Sequence, residues 1–236
     1  MANMPAFQAG DESSILSTRT NFDFMKITKY KHSCLLIENK KARVLFDPGE
    51  FSWAEFSKEL KNLEGLDFIV ITHEHGDHYF PEAIKEVALK NSSAKLICPD
   101  VVSAKLKSDG IELERLESHE LFSIELTEHA HLDQTISIFD NIRVTFDSRF
   151  LHPGDNMEME ESPEVLAIPI FGPWYNGTIT DAIDIVIKLR PKFVVPIHDW
   201  HYKDEVREDF QQRLKDRTKE FGITVLNQPD GETVEV

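Results

Sequence analysis

A histidine-rich segment, residues 72–78, holds the side chains of this chain that are best suited to chemistry. Three imidazoles and an aspartate follow directly after the apolar run 68–71, which predicts a short buried strand. Zinc, iron and manganese readily take imidazole and carboxylate as ligands. Crowding such groups at the end of a buried strand costs desolvation energy unless a divalent cation pairs them. The segment therefore predicts a metal site.

The spacing within this segment suggests two neighbouring metal sites. His73 and His75 are two residues apart, so their side chains point the same way in extended backbone. Gly76 then permits a turn, after which Asp77 and His78 can face a second point nearby. The pattern differs from the His-Glu-x-x-His helix of zinc proteases. The alternative interpretation is a solvated polar loop that contains histidines by chance.

Three later strand candidates also end in histidine or aspartate. The predicted strands are 122–127, where apolar and polar residues alternate, 142–146 and 193–197. Potential ligands that follow these strands are His129, His131, His152, Asp155 and His198. The repetition of this pattern supports the metal site more strongly than any single match.

The order of these motifs resembles that of the metallo-β-lactamase-fold hydrolases. The resemblance rests on the residue 73–78 motif, a later histidine, Gly154-Asp155 and Pro196-x-His198, and it covers residues 25 to about 226. Residues 25–37 resemble the first hairpin of that superfamily, and residues 44–49 resemble its Asp-Pro-Gly turn. The spacing is most similar to the short branch related to ascorbate-6-phosphate lactonases and N-acyl-phosphatidylethanolamine phosphodiesterases.

The resemblance implies an α/β fold, the αββα four-layer sandwich, in which two mixed sheets carry helices on their outer faces. We expect residues 25–236 to form a single metallo-hydrolase domain, preceded by a flexible arm at residues 1–24. A length of 236 residues suits one domain with a sizeable core.

The resemblance also implies two metal sites that share one carboxylate. The ligands of the first site would be His73, His75 and His129. The ligands of the second site would be Asp77, His78 and His198. Asp155 would bridge both metals, since a carboxylate has two oxygens. His131 rivals His129, because it lies two residues further along the same predicted strand end.

Two divalent cations, with zinc favoured over manganese or iron, would supply the chemistry of such a site. Cations about 3.5–4 Å apart share a metal-bound hydroxide, and the second cation stabilises charge on the substrate oxygen. In relatives, the residue at the position of Asp77 also orients the nucleophile. The expected substrate is a small, anionic ester, lactone or phosphodiester. Alternatives are an iron-based oxidoreductase on the same fold and a binding protein without metals.

Several residues have two interpretations from sequence alone. His32 lies near the site or caps a turn. His152 either forms a hydrogen bond to a metal ligand or a substrate oxygen, or has a structural role. Asp47 is favoured as a supporting or turn carboxylate over a metal ligand. Residues 171–177, with adjacent Trp and Tyr, form a pocket wall or a lid on the core.

Composition excludes several classes of partner. A formal net charge of −16 argues against nucleic acid, whose phosphates would be repelled. No apolar run approaches the roughly 18 residues of a membrane span. The two cysteines, Cys34 and Cys98, lie in apolar surroundings and suit a reducing, cytoplasmic compartment. A small-molecule substrate is therefore expected, and the oligomeric state is left open.

Overall fold

Two mixed β-sheets form the centre of the molecule. The computed structural model describes residues 24–128, 140–170 and 178–236. Within these ranges the first sheet contains seven strands, in the spatial order β13 (Thr233–Glu235), β1 (Lys26–Lys31), β2 (Cys34–Glu38), β3 (Arg43–Phe46), β4 (Phe68–Val70), β5 (Lys95–Ile97) and β6 (Glu114–Arg115). Strands β3 to β6 run parallel, so their carboxyl ends share one edge of the sheet.

The second sheet contains six strands within the described residues. Their spatial order is β12 (Thr224–Val225), β11 (Phe193–Ile197), β10 (Val165–Pro169), β9 (Phe150–His152), β8 (Asp140–Phe146) and β7 (Phe122–Glu128). Strands β9 to β12 are parallel to one another, whereas β7, β8 and β9 pair antiparallel. The carboxyl ends of β9, β10 and β11 therefore also lie together.

Helices cover the outer face of each sheet. Three helices pack on the first sheet, namely α1 (Glu50–Lys61), α2 (Pro81–Lys90) and α3 (Asp100–Ser108). The second sheet is covered by α4 (Ile179–Leu189) and α5 (Asp204–Thr218), and α5 continues into a short 3-10 helix, Lys219–Phe221. This arrangement confirms the predicted αββα sandwich. None of the described helices is long and apolar enough to cross a membrane.

The main core lies between the two sheets. Alternation along β3 directs Val44 and Phe46 toward the second sheet and Leu45 toward the helices of the first. The ring of Phe46 packs 5.3 Å from that of Phe150 in β9, and both side chains are fully buried. Because such strands are buried on both faces, they appear in the sequence as continuous apolar runs.

Two elements differ from the sequence prediction. The sequence pattern predicts a helix near residues 53–62, whereas helix α1 begins three residues earlier, at Glu50, whose N–H donates to Gly76 O of the histidine-rich segment. Strand β13 was not predicted, since it is only three residues long and its side chains are mostly exposed. Apart from Phe24, the predicted arm at residues 1–24 lies outside the described residues, and the single-domain boundary stays a prediction.

Candidate metal centre

Side chains from four separate parts of the chain meet at the carboxyl ends of β4, β9 and β11. They form two groups in which the possible ligand atoms lie within 4.8 Å of one another. The first group consists of His73, His75 and Asp155. The second consists of His32, Asp77, His78 and His198. Of the predicted ligands, all except His129 therefore lie in these two groups.

Local hydrogen bonds shape the loop that follows β4. The backbone N–H groups of His78 and Tyr79 both donate to His75 O, at 3.0 and 2.7 Å, which closes a tight turn. Gly49 lies against this turn so closely that a Cβ atom there would be 1.8 Å from Asp77 O. Only glycine therefore allows the start of α1 to dock against the loop.

The first group brings two imidazoles and a carboxylate together. His73 Nε2 lies 3.2 Å from His75 Nδ1 and 3.8 Å from Asp155 Oδ2. His73 and Asp155 are fully buried, whereas His75 is half-buried.

The second group surrounds the carboxylate of Asp77. Its Oδ2 lies 3.3 Å from His198 Nε2 and 3.6 Å from His78 Nε2. Asp155 also reaches this group, with Oδ1 3.1 Å from His78 Nε2 and Oδ2 3.0 Å from His198 Nε2. Asp155 therefore lies between the two groups and contacts both.

Asp47 binds His78 at Nδ1, the ring nitrogen that faces away from Asp155 and Asp77. Its carboxylate accepts hydrogen bonds from the Thr72 N–H at 2.7 Å, the Thr72 hydroxyl at 2.8 Å and His78 Nδ1 at 2.7 Å. A proton on Nδ1 leaves the lone pair of Nε2 directed at Asp155 and Asp77. Nε2 is buried and makes no hydrogen bond to the described residues. A cation between these groups would satisfy them, so the residues fit a metal.

His32 supports Asp77 through a defined tautomer. The Trp200 N–H donates to His32 Nδ1 at 3.3 Å, so the proton of the neutral ring is on Nε2. Nε2 then donates to Asp77 Oδ2 at 3.0 Å. Burial lowers the pKa of His32 to about 4, which favours this neutral form. His32 therefore lies at the site, where sequence analysis had left its place open.

His152 and Asn141 hold the loop that carries Asp155. The Gly154 N–H donates to His152 Nδ1 at 3.2 Å, and His152 Nε2 donates to Ser33 O at 3.3 Å. Asn141 accepts from the Asp155 N–H at 3.1 Å and donates to the Pro153 carbonyl at 2.8 Å. The role of Asn141 does not follow from the sequence, because a polar residue at the start of a strand ordinarily indicates an exposed position, whereas the Asn141 side chain is fully buried in β8.

Three of the six described non-glycine residues with a positive φ angle lie at the centre. His32, Asp47 and His198 have positive φ angles of 55°, 45° and 59°, a conformation that costs free energy for residues with side chains. Such strain persists only where surrounding contacts fix it, and these three residues each hold or belong to one of the two groups.

The electrostatics of the second group favour positive charge. Burial alone lowers the pKa of His198, but the carboxylates of Asp155 and Asp77 outweigh it and raise that pKa to about 9. The pKa of His78 rises well above its ordinary value for the same reason, with Asp47 contributing. Burial raises the pKa of Asp77, but the surrounding imidazoles outweigh it and hold that pKa well below the usual range. A divalent cation would meet the same attraction.

His129 and His131 lie outside the described residues, as does the aromatic segment 171–177. Strand β7 runs to Glu128, which pairs with Asp140 and directly precedes His129 in the sequence. The choice between the two histidines stays a prediction.

Comparisons with known proteins agree with this geometry. Residues 26–198 match the family described as the beta-lactamase superfamily domain. Protein Rv0786c of Mycobacterium tuberculosis is 32% identical over 206 residues, covering 82% of this chain and 93% of that protein. A UPF0173 metal-dependent hydrolase of Archaeoglobus fulgidus is 26% identical over 230 residues, covering 86% of this chain and 96% of that protein.

A solved structure shares the fold. The crystal structure of the metallo-β-lactamase fold protein YhfI from Bacillus subtilis aligns with a TM-score of 0.66 at 14% identity. The alignment covers 91% of this chain and 100% of that chain. The chain belongs to the β-lactamase superfamily, has the metallo-β-lactamase fold and is a metal-dependent hydrolase.

Proposed function

We propose that this hydrolase binds two divalent metal ions and cleaves a small, anionic ester, lactone or phosphodiester. The ligands proposed for the first metal are His73, His75 and His129. Those proposed for the second metal are Asp77, His78 and His198. Asp155 is the proposed bridge. The observation that carries the proposal is the position of Asp155, whose carboxylate lies within 3.8 Å of imidazoles from both groups.

The donor set supports zinc, with manganese or iron as alternatives. All the proposed ligands are imidazole nitrogens and carboxylate oxygens, which these metals accept. When bound, two such cations activate a water molecule and stabilise negative charge that develops on the substrate.

Asp77 is the carboxylate of the centre best placed to act on a substrate. Its side chain is 19% exposed, whereas that of Asp155 is 1% exposed. Of these two carboxylates, Asp77 therefore faces the open side, where an incoming water or substrate can reach it. Its low pKa keeps it ionised, and the hydrogen bond from His32 fixes its orientation. We propose that it orients the attacking water by accepting a hydrogen bond.

Charge supports an anionic substrate. Two divalent cations would add about four positive charges, whereas the two carboxylates among the proposed ligands, Asp77 and Asp155, add two negative charges, so a net attraction for anions remains. We do not expect nucleic acid as a substrate, because the chain as a whole carries a net charge of −16, which repels phosphates. A reducing, cytoplasmic location stays a prediction from two free, buried cysteines.

Metal analysis and a substrate screen test the proposal together. Protein purified without added metal should bind two metal ions per chain on titration. The metal-loaded protein should hydrolyse members of a panel of p-nitrophenyl phosphodiesters, lactones and thioesters in preference to neutral p-nitrophenyl esters. Asp77→Asn should abolish most of this turnover while the protein stays folded. The matched control is Asp67→Asn, since Asp67 is exposed and accepts its hydrogen bond from the Arg43 N–H.

Three results would contradict the proposal. Binding of a single metal ion per chain would refute the dinuclear site. Near-normal turnover of Asp77→Asn would refute the proposed role of that carboxylate. Failure of the loaded protein on every anionic substrate, with turnover of neutral esters, would overturn the substrate class.

A further inference from the structure

A buried ion pair joins the two sheets beside His198. Lys29 belongs to β1 of the first sheet, and Asp199 directly follows His198 at the end of β11 in the second. Lys29 Nζ donates to Asp199 Oδ2 at 2.7 Å and to the carbonyl of Pro196 at 2.8 Å. Lys29 is 5% exposed and Asp199 is 1% exposed. One ammonium group thus binds the chain on both sides of His198.

His198 needs such support because of its backbone. Its φ of 59° places it in the left-handed region, which costs a non-glycine residue roughly 1–2 kcal/mol. The carbonyl two residues before it and the carboxylate directly after it are both held by Lys29. Further along, the Trp200 N–H is fixed by His32 Nδ1. The strained residue therefore lies between anchored neighbours.

The ion pair between Lys29 and Asp199 is not expected to add much net stability to the fold. Removing two charges from water costs several kcal/mol per ion, and apolar replacement of buried pairs is often neutral or stabilising. Lys31, two residues along the same strand, is less deeply buried: its side chain is 12% exposed, and it pairs with Asp230 and with Glu55, which is 48% exposed. A buried charge at Lys29 is better explained by the geometry that it enforces.

We propose that Lys29 is a positioning residue that, through Pro196 and Asp199, holds the imidazole of His198 against the second metal position. The assignment of His198 as a ligand rests on the proposed function. Lys29 Nζ binds Pro196 O and Asp199 Oδ2, which flank His198, and Lys29 belongs to neither group of possible ligands, so we expect its effect to pass through the chain around His198.

Metal titration of variants tests the positioning role. His198→Ala should lose one of the two metal ions. Lys29→Met should lower the affinity for that same metal ion by about 10- to 100-fold and leave the affinity for the other unchanged. Lys31→Met is the matched control and should leave both affinities unchanged. Because Lys29→Met leaves Asp199 as an unpaired buried charge, the variant is expected to lose stability as well.

A double variant separates positioning from stability. Lys29→Met combined with Asp199→Leu removes both charges and should regain most of the free energy of unfolding, yet its second metal affinity should stay low. Recovery of stability and affinity together would show that the pair is not needed for positioning, and would overturn the inference.

A crystal structure of the double variant decides the inference independently of metal content. We expect the His198 ring to move so that its 3.0 Å approach to Asp155 Oδ2 is lost. An unmoved His198 would refute the role of Lys29. Binding of fewer than two metals by the unmodified protein would instead refute the proposed function, and the position of His198 in the variant would still decide the role of Lys29.

Discussion

Replacement of Asp47 by alanine tests the contacts behind His78 most directly. The substitution removes the acceptor of three hydrogen bonds, from the Thr72 N–H, the Thr72 hydroxyl and His78 Nδ1. The Thr72 hydroxyl and His78 Nδ1 lie 3.3 Å apart and can bond to each other, so the loss of each of their bonds to Asp47 costs about 1 kcal/mol. The buried Thr72 N–H is left without a partner, which costs about 1–3 kcal/mol. Asp47→Ala should therefore lower the free energy of unfolding by about 3–5 kcal/mol.

The same substitution should also weaken metal binding. Among the described residues, the partner of His78 Nδ1 that remains without Asp47 is the more distant Thr72 hydroxyl, at 3.3 Å. Loss of such a supporting hydrogen bond typically lowers metal affinity by about 10- to 100-fold. Asp47→Asn, which keeps one acceptor oxygen at similar volume, should show a smaller loss of both quantities.

Two measurements check this prediction. Urea unfolding with a chelator present reports the stability of the protein alone, and competition with a chromogenic chelator reports metal affinity. Asp67→Ala provides the control, because it removes one exposed carboxylate that accepts from a backbone N–H. An Asp47→Ala protein within about 1 kcal/mol of the unmodified protein in chelator would refute the hydrogen-bond argument. Unchanged metal affinity would refute the orienting role.

Three further predictions concern the centre and its surroundings. His32→Ala removes the donor to Asp77 and should weaken the second metal about 10-fold in the same titration. A chelator should lower the melting temperature by roughly 5–10 °C, since metal at about 100 times its Kd stabilises by about 2.7 kcal/mol. Arg149 lowers the pKa of Glu164 below its ordinary 4.5, so Glu164→Gln should cost less than about 1 kcal/mol at neutral pH.

The pH dependence of the Glu164 effect has a definite sign. A carboxylate with a lowered folded pKa stabilises the protein above its unfolded value of 4.5, and this contribution is lost as pH falls through the folded pKa. The difference between Glu164→Gln and the unmodified protein should therefore shrink in acid. A difference that grows in acid would contradict the ion pair between Glu164 and Arg149. For the chelator experiment, an unchanged melting curve in metal-free protein would contradict stabilisation by bound metal.

Much of the centre could be predicted because its signals are local. The imidazoles of His73 and His75 are two residues apart, directly after a buried strand, and metal ligands of this kind are recognisable from type and spacing. The strands themselves follow from apolar runs and alternation, which depend on backbone geometry alone. Ligand candidates at the ends of β9 and β11 were visible for the same reason.

The supporting contacts were decided by the tertiary structure. Asp47 and His78 are 31 residues apart, and Lys29 and Asp199 are 170 apart. Neither residue of such a pair carries a local sign of its partner, and a lysine in a strand ordinarily predicts a surface position. Only the packing of two sheets brings Lys29 to the end of β11.

The sequence by itself determined which residue types could bind metal and which strand ends would carry them, because ligand chemistry and backbone periodicity are properties of short segments. Tertiary structure decided which partner fixes each ligand, including the tautomers of His32 and His78. Hydrogen-bond and ion-pair energies depend on burial and on separations of about 3 Å, and these arise only when distant segments pack together.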